Sequence, residues 1–264
     1  MINLHTEIYE TPAEIGIELA GRIFAGVRAA NDDGHRYVLG CPGGRSAMPV
    51  YEALADRLAA DPIDCSNLAI AMMDEYLLRG PGDELLPPPV AAHFSCLGFG
   101  EREIVGRINA GLPAPYRIKT ENLWMPDIAA PADYDRSLAE AGGVDLFLLA
   151  SGAGDGHIAF NPSGSPRDSR SRIVELAEQT RRDNLATFPD FKSLAEVPSH
   201  GITIGIASIA DLSKSVAMIV WGDGKREAYR HLSTAKSYDP AWPATIAVEC
   251  RLAGLHADRS ASRG

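Results

Sequence analysis

The chain has 264 residues, 45% hydrophobic and 23% charged, with a net charge of −10, which fits one large or two small globular α/β domains and excludes nucleic acid as a bulk electrostatic partner. An anionic small molecule remains possible, because a site needs only a few local cations. Four scattered cysteines without a CxxC pair exclude a zinc-ligand spacing and a disulfide framework, and point to free thiols in a reducing compartment.

The N-terminal stretch MINLHTEIYETPAEIG lacks a basic n-region and an apolar h-region. No apolar run reaches the ~20 residues of a membrane span, so a cytoplasmic protein without membrane contact is expected. Thr11-Pro12-Ala13-Glu14 is a helix start, with an N-cap threonine, proline at the first position and an acid in the first turn. Apolar residues at helical spacing follow through Val27, and Asn31-Asp32-Asp33-Gly34 ends the helix. Residues 37–41 form a short strand that runs directly into Pro42-Gly43-Gly44-Arg45-Ser46 and a helix over about 48–60. Strand, glycine turn and helix together offer free backbone N–H groups to an anion. Ser46 adds a hydroxyl and Arg45 a charge, but the spacing is neither that of a Walker loop nor GxGxxG, so no nucleotide site is assigned.

Residues 68–73 (LAIAMM) read as a buried strand ending in Asp74-Glu75-Tyr76. Asp74 either caps the next turn or, partly desolvated, serves as a general base. Residues 79–90 are a proline-rich loop, a lid or a plain surface excursion. Helices are expected over 101–110 and 133–141, with a short strand at 123–125 between them.

Asp145 to Pro166 reads DLFLLASGAGDGHIAFNPSGSP. Its apolar opening has the character of a fully buried strand, and it breaks into Gly152, Gly154 and Gly156 with Asp155 and His157 among them. An aspartate two residues from a histidine can orient the imidazole, although a solvated turn is the plainer reading. A strand is expected over 170–176 and a polar cluster, Thr180-Arg181-Arg182-Asp183-Asn184, near a helix start. The adjacent arginines are either solvent-facing or phosphate ligands. Strands at 201–206 and 216–221 follow, the second leading through Gly222-Asp223-Gly224-Lys225 into a helix over 226–232. The last strand is expected at 245–249 and a disordered tail over 257–264. No repeat or linker divides the chain, so residues 1–256 are expected to form one α/β domain, Rossmann-like, with a mostly parallel sheet covered by helices on both faces. The strand tips then gather Gly43, Gly44, Asp74, Asp155, His157 and Lys225 on one rim.

These pieces together resemble the glucosamine-6-phosphate deaminase/isomerase family, which also includes the 6-phosphogluconolactonases. The resemblance spans about residues 10–250 and is carried chiefly by GAGDGHIAFN (residues 152–161). Met73-Asp74-Glu75-Tyr76 and residues 201–206 look like the deaminase branch. The resemblance implies a modified Rossmann-like fold, a sugar-phosphate substrate, no metal and no cofactor. It implies Asp74 as the base that moves a proton between C1 and C2, and His157, oriented by Asp155, as the group that assists ring opening. Gly43, Gly44, Ser46 and Lys225 would hold the phosphate. The family includes monomers and hexamers, so a homo-oligomer is possible.

Three positions depart from the family pattern. The deaminase glutamate five residues after the motif histidine is replaced by Pro162. The phosphate arginine ahead of the next aromatic aligns with Ala186, and Arg45 stands where a small residue is usual. Compensation by Arg45 or Arg181, a different sugar phosphate, and lost deamination are all compatible with these departures. Two places after Arg172 stands Val174 rather than the basic residue of the family's allosteric branch, so its effector binding is not expected. The main expectation is isomerisation with deamination of a 2-amino sugar phosphate; a lactone hydrolase and a non-catalytic sugar-phosphate sensor are the alternatives.

Overall fold

The computed structural model describes residues 4–263. Strands β1 (His5–Tyr9), β2 (Tyr37–Cys41), β3 (Leu68–Met72), β6 (Leu123–Trp124), β7 (Leu146–Ala150), β10 (Val216–Val220) and β11 (Ala253–Asp258) form a seven-stranded sheet in the order β1-β11-β10-β7-β2-β3-β6. Every pairing in it is parallel. Its central strands are the continuous apolar runs of the sequence, and consecutive residues feed opposite cores. Leu146 and Leu148 pack with Ile15, Leu19, Tyr51, Leu54 and Ile104, from α1 (Pro12–Asp32), α2 (Met48–Ala60) and the irregular helix over 96–110. Phe147 and Leu149 pack with Leu138, Ile209 and Leu232 on the other face, from α5 (Pro131–Glu140), α7 (Ile206–Leu212) and α8 (Arg226–Thr234). The expected parallel sheet with helices on both faces is therefore present. Residues 96–110 comprise α3 (Cys96–Phe99), a π-helical stretch (Gly100–Gly106) and α4 (Arg107–Ala110).

A second, antiparallel sheet was not foreseen. It runs β5 (Leu85–Leu86), β4 (Asp74–Arg79), β9 (His200–Thr203), β8 (Arg172–Glu175). The chain passes from β3 to β4 through Met73 alone, so Asp74 opens a strand instead of ending one. The 79–90 stretch is a hairpin return, with Gly80 N–H donating to Glu84 O at 2.8 Å and Leu86 paired with Leu78.

Two expectations at the C-terminal end are corrected. Residues 245–249 are part of a 3-10 helix, Pro243–Glu249, not the last strand. Every residue from Pro243 to Val248 is buried there, and a run buried on all sides shows no periodicity that distinguishes helix from strand. The last strand is β11, inserted between β1 and β10, so 257–262 are ordered: Ala257 is buried and α9 (Arg259–Ser262) follows, capped by Asp258 through Ala261 N–H at 2.8 Å. Gly264 lies outside the described residues. Among the described residues no helix is long and apolar enough to cross a membrane.

The chain runs outward from β2 to β3 on one side of the sheet and from β7 to β10 to β11 on the other, so the order reverses between the neighbours β2 and β7. Crevices at the carboxyl ends of strands beside such a reversal are where open α/β sheets bind ligands.

Candidate active site

At that reversal lies a cavity of about 450 Å3. Gly43, Gly44, Arg45 and Ser46 line it after β2, Asp74 after β3, Ser151 and His157 after β7, and Lys225 after β10. Two of its walls share one design. Gly44 (φ +90°) follows β2 and leads through a 3-10 turn (Arg45–Ala47) into α2; Gly222 (φ +87°) follows β10 and leads through Asp223–Lys225 into α8. A Cβ on either would meet no neighbour, so backbone conformation, not space, demands glycine. The turns are joined by Trp221 Nε1, which donates to Ser46 O at 2.8 Å. Gly222 N–H donates to Asp258 Oδ1 at 3.0 Å, which gives the unforeseen strand β11 a part in holding the site.

Asp74 is only 7% exposed. Burial pushes its carboxyl up to about 7, and the charge of Glu75 adds to the rise, while the Cys96 hydrogen bond and His157 oppose it. Cys96 Sγ donates to Asp74 Oδ1 at 3.4 Å. An aromatic wall lines the same cavity, in which Tyr76 packs on Phe160 at 4.7 Å and Phe94 at 5.5 Å between centroids. Glu75 fixes that wall: its carboxylate accepts the N–H groups of Tyr76 (2.8 Å), Cys96 (2.9 Å) and Leu97 (2.8 Å) and the Ser95 hydroxyl (3.1 Å). A buried carboxylate at a helix start satisfies orphan donors that no backbone group can reach.

Asp155 stands behind His157. Its Oδ1 lies 2.7 Å from His157 Nδ1 and accepts His157 N–H at 3.2 Å, and its Oδ2 accepts the Thr180 hydroxyl at 3.2 Å. Burial works against ionisation of Asp155, but the hydrogen bonds and charge of His157 outweigh it and hold the carboxyl below its ordinary value. The pair is packed without slack: a Cβ on Gly152 would sit 2.1 Å from Asp155 Oδ1 and 2.4 Å from His157 Nδ1. Gly152→Ala is therefore expected to displace the pair and lower turnover about 100-fold. Gly154→Ala, whose Cβ meets nothing within 4 Å, is expected to leave it unchanged. Steady-state kinetics of the two variants, with melting temperatures as controls, check this.

Lys225 Nζ donates to Ser151 O. Burial lowers its ammonium, Asp183 and Asp155 counter the shift and Arg45 reinforces it. Arg45 is exposed and reaches Thr187 Oγ1 at 3.3 Å.

Arg181 is the one candidate that the fold takes elsewhere. Its guanidinium donates to Leu194 O at 2.6 Å and Val197 O at 3.0 Å, and it does not line the cavity. The reason is helical phase. On α6 (Glu178–Thr187) the face presented to the cavity is Thr180, Asp183, Asn184 and Thr187, spaced as one side of a helix, and Arg181 falls off it. Pro162 does not line the cavity either. Residues not singled out from sequence for the site are Cys96, Asp183, His93 and the aromatics. Tyr76, Phe160 and Asp183 lie within stretches the sequence already marked, but nothing local says that their side chains face the cavity; Cys96, His93 and Phe94 lie beyond β4, where no motif marks them. The turn N–H groups, a lysine and an arginine suit an anion, and the acids face a histidine.

No family model matches the chain. A glucosamine-6-phosphate deaminase from Beutenbergia cavernae is 37% identical over 210 residues, covering 79% of this chain and 74% of that one. Among solved structures, a monomeric glucosamine-6-phosphate deaminase superposes with a TM-score of 0.82 at 24% identity, covering 98% of this chain and 99% of that chain. A 6-phosphogluconolactonase from Shewanella baltica OS155 superposes with a TM-score of 0.66 at 17% identity, covering 98% of both. The two structural likenesses bear on the fold.

Proposed function

The chain belongs to the glucosamine-6-phosphate deaminase/isomerase family, and from that membership we propose that it converts a 2-amino-2-deoxyhexose 6-phosphate, glucosamine 6-phosphate first, into the ketose 6-phosphate and ammonia. The observation that carries this reading is a desolvated carboxylate, Asp74, in one cavity with an Asp155-oriented His157 and two glycine turns. The phosphate is held by the turn N–H groups of Gly43 to Ser46 and by Lys225, with Arg45 at the mouth. Anchoring that end places the sugar's reacting carbons inward, so that remote binding energy orients them. His157 gives a proton to the ring oxygen as the pyranose opens. Asp74 then takes the proton from C2 and delivers it to C1, and loss of the amino group as ammonia follows hydrolysis at C2. The setting is the cytoplasm, consistent with four free cysteines.

A base must be ionised to act. With Asp74 at about 7, kcat/KM is expected to rise tenfold per pH unit below neutrality and to level off above it. A profile flat between pH 5 and 8 would contradict Asp74 as the base. A lactone hydrolase using His157 to activate water is the second reading, favoured by Pro162. Release of ammonia from glucosamine 6-phosphate supports the first reading, and acid release from a sugar lactone without ammonia supports the second.

A further inference from the structure

Opening a pyranose at C1 moves two protons. One leaves the anomeric O1–H, whose bond pair becomes the C1=O1 π bond. The C1–O5 pair stays on O5, which takes the other proton. An imidazole that gives the O5 proton cannot at that moment take the one on O1, so a second proton-carrying group is needed. Asp74 is committed to the carbon-bound proton. Asp155 is spent, its two oxygens facing His157 and Thr180. Pro162 holds no proton.

The acid left over is Asp183. It lines the cavity on the same helix face as Thr180. Its carboxylate accepts Gln179 Nε2 at 2.9 Å, one turn back on α6. One of its oxygens, one of Asp155's and a ring nitrogen of His157 all lie within 4.8 Å of one another, a separation that a water or a substrate hydroxyl bridges. Lys225 lies close enough to feel its charge. We propose that Asp183 is the second catalytic group of ring opening: it takes the O1 proton while His157 protonates O5. The proton then returns from Asp183 to His157, which restores both groups with no net change in charge or oxidation state. This inference rests on the function proposed above.

The test separates ring opening from proton transfer at carbon. Asp183→Asn is isosteric and is expected to lower kcat for ammonia release from glucosamine 6-phosphate about 100-fold, with KM within about threefold of wild type. Solvent-deuterium incorporation into C1 of fructose 6-phosphate with ammonium starts from the ketose and is expected to stay within about threefold. Asp183→Glu should recover at least about a tenth of the lost rate. If Asp183→Asn proves unstable, Asp183→Ala must show the same split. Undiminished turnover, or parallel loss of turnover and exchange, would overturn the role of Asp183. So would loss of wild-type turnover on dialysis against a chelator, since a metal would then occupy these three groups. A wild type that releases no ammonia and exchanges no C1 hydrogen would instead overturn the proposed function, and the inference with it.

Discussion

Asp74→Asn is expected to lower kcat for ammonia release by about three orders of magnitude while substrate binding, read by calorimetry, stays within about threefold. The amide keeps the shape of the carboxylate and can still accept from Cys96 Sγ, but it cannot take a proton from carbon. The loss would therefore fall on the transition state and not on the ground-state complex. The same substitution has a signature that misfolding cannot imitate. Burial raises the folded carboxyl from 3.8 to about 7, so between those values the folded protein keeps a proton that the unfolded chain has released. Stability contributed by Asp74 is full below its unfolded pKa and is lost as pH rises through 7. Asparagine removes this dependence. The variant should gain melting temperature relative to wild type, by a few degrees more at pH 8 than at pH 5. Undiminished kcat would remove Asp74 as the base, and a melting temperature lowered equally at both pH values would point to a packing role.

Lys225→Ala is expected to raise KM for the sugar phosphate about 30- to 100-fold, with kcat within about threefold of wild type. A charge-assisted hydrogen bond to a phosphate contributes about 2–3 kcal/mol, at 1.4 kcal/mol per tenfold. Lys225 is preorganised, because its Nζ is held on Ser151 O and its residue closes the turn begun by Gly222. Arg45 should matter less, because it is exposed and its hydrogen bond runs to the Thr187 hydroxyl at 3.3 Å. An unchanged KM would mean that Lys225 is not at the phosphate, and a fall in kcat alone would assign it to the chemistry near Asp155 and His157.

The central parallel strands were legible because both faces of each are buried: an unbroken run such as Leu146-Phe147-Leu148-Leu149 admits one interpretation beside a glycine turn. Their tips were legible for the same reason, and Asp74, His157, Lys225 and the Gly43-Gly44 turn do meet in one cavity. What escaped were elements whose polar residues find partners only in three dimensions. Strand β11 was not assigned, and its last two residues, Ala257 and Asp258, read as the start of a tail; His256 Nδ1 faces Tyr9 Oη at 3.1 Å, and Asp258 holds Gly222 and Ala261. The antiparallel sheet escaped because the chain enters it after one residue, with no turn to mark the change. Arg181 and Asp183 lie two apart on α6 and so point different ways, and phase relative to the cavity, which the sequence does not state, decides that one binds loop carbonyls and the other faces the site.

The most direct test is ammonia release from glucosamine 6-phosphate at pH 7.5, followed by a coupled assay, with galactosamine 6-phosphate as the C4 epimer and Asp74→Asn as control. Ammonia from the wild type and none above background from Asp74→Asn is the predicted result. Failure of the wild type to release ammonia from either sugar, while calorimetry shows the phosphate bound, would contradict deamination at this site.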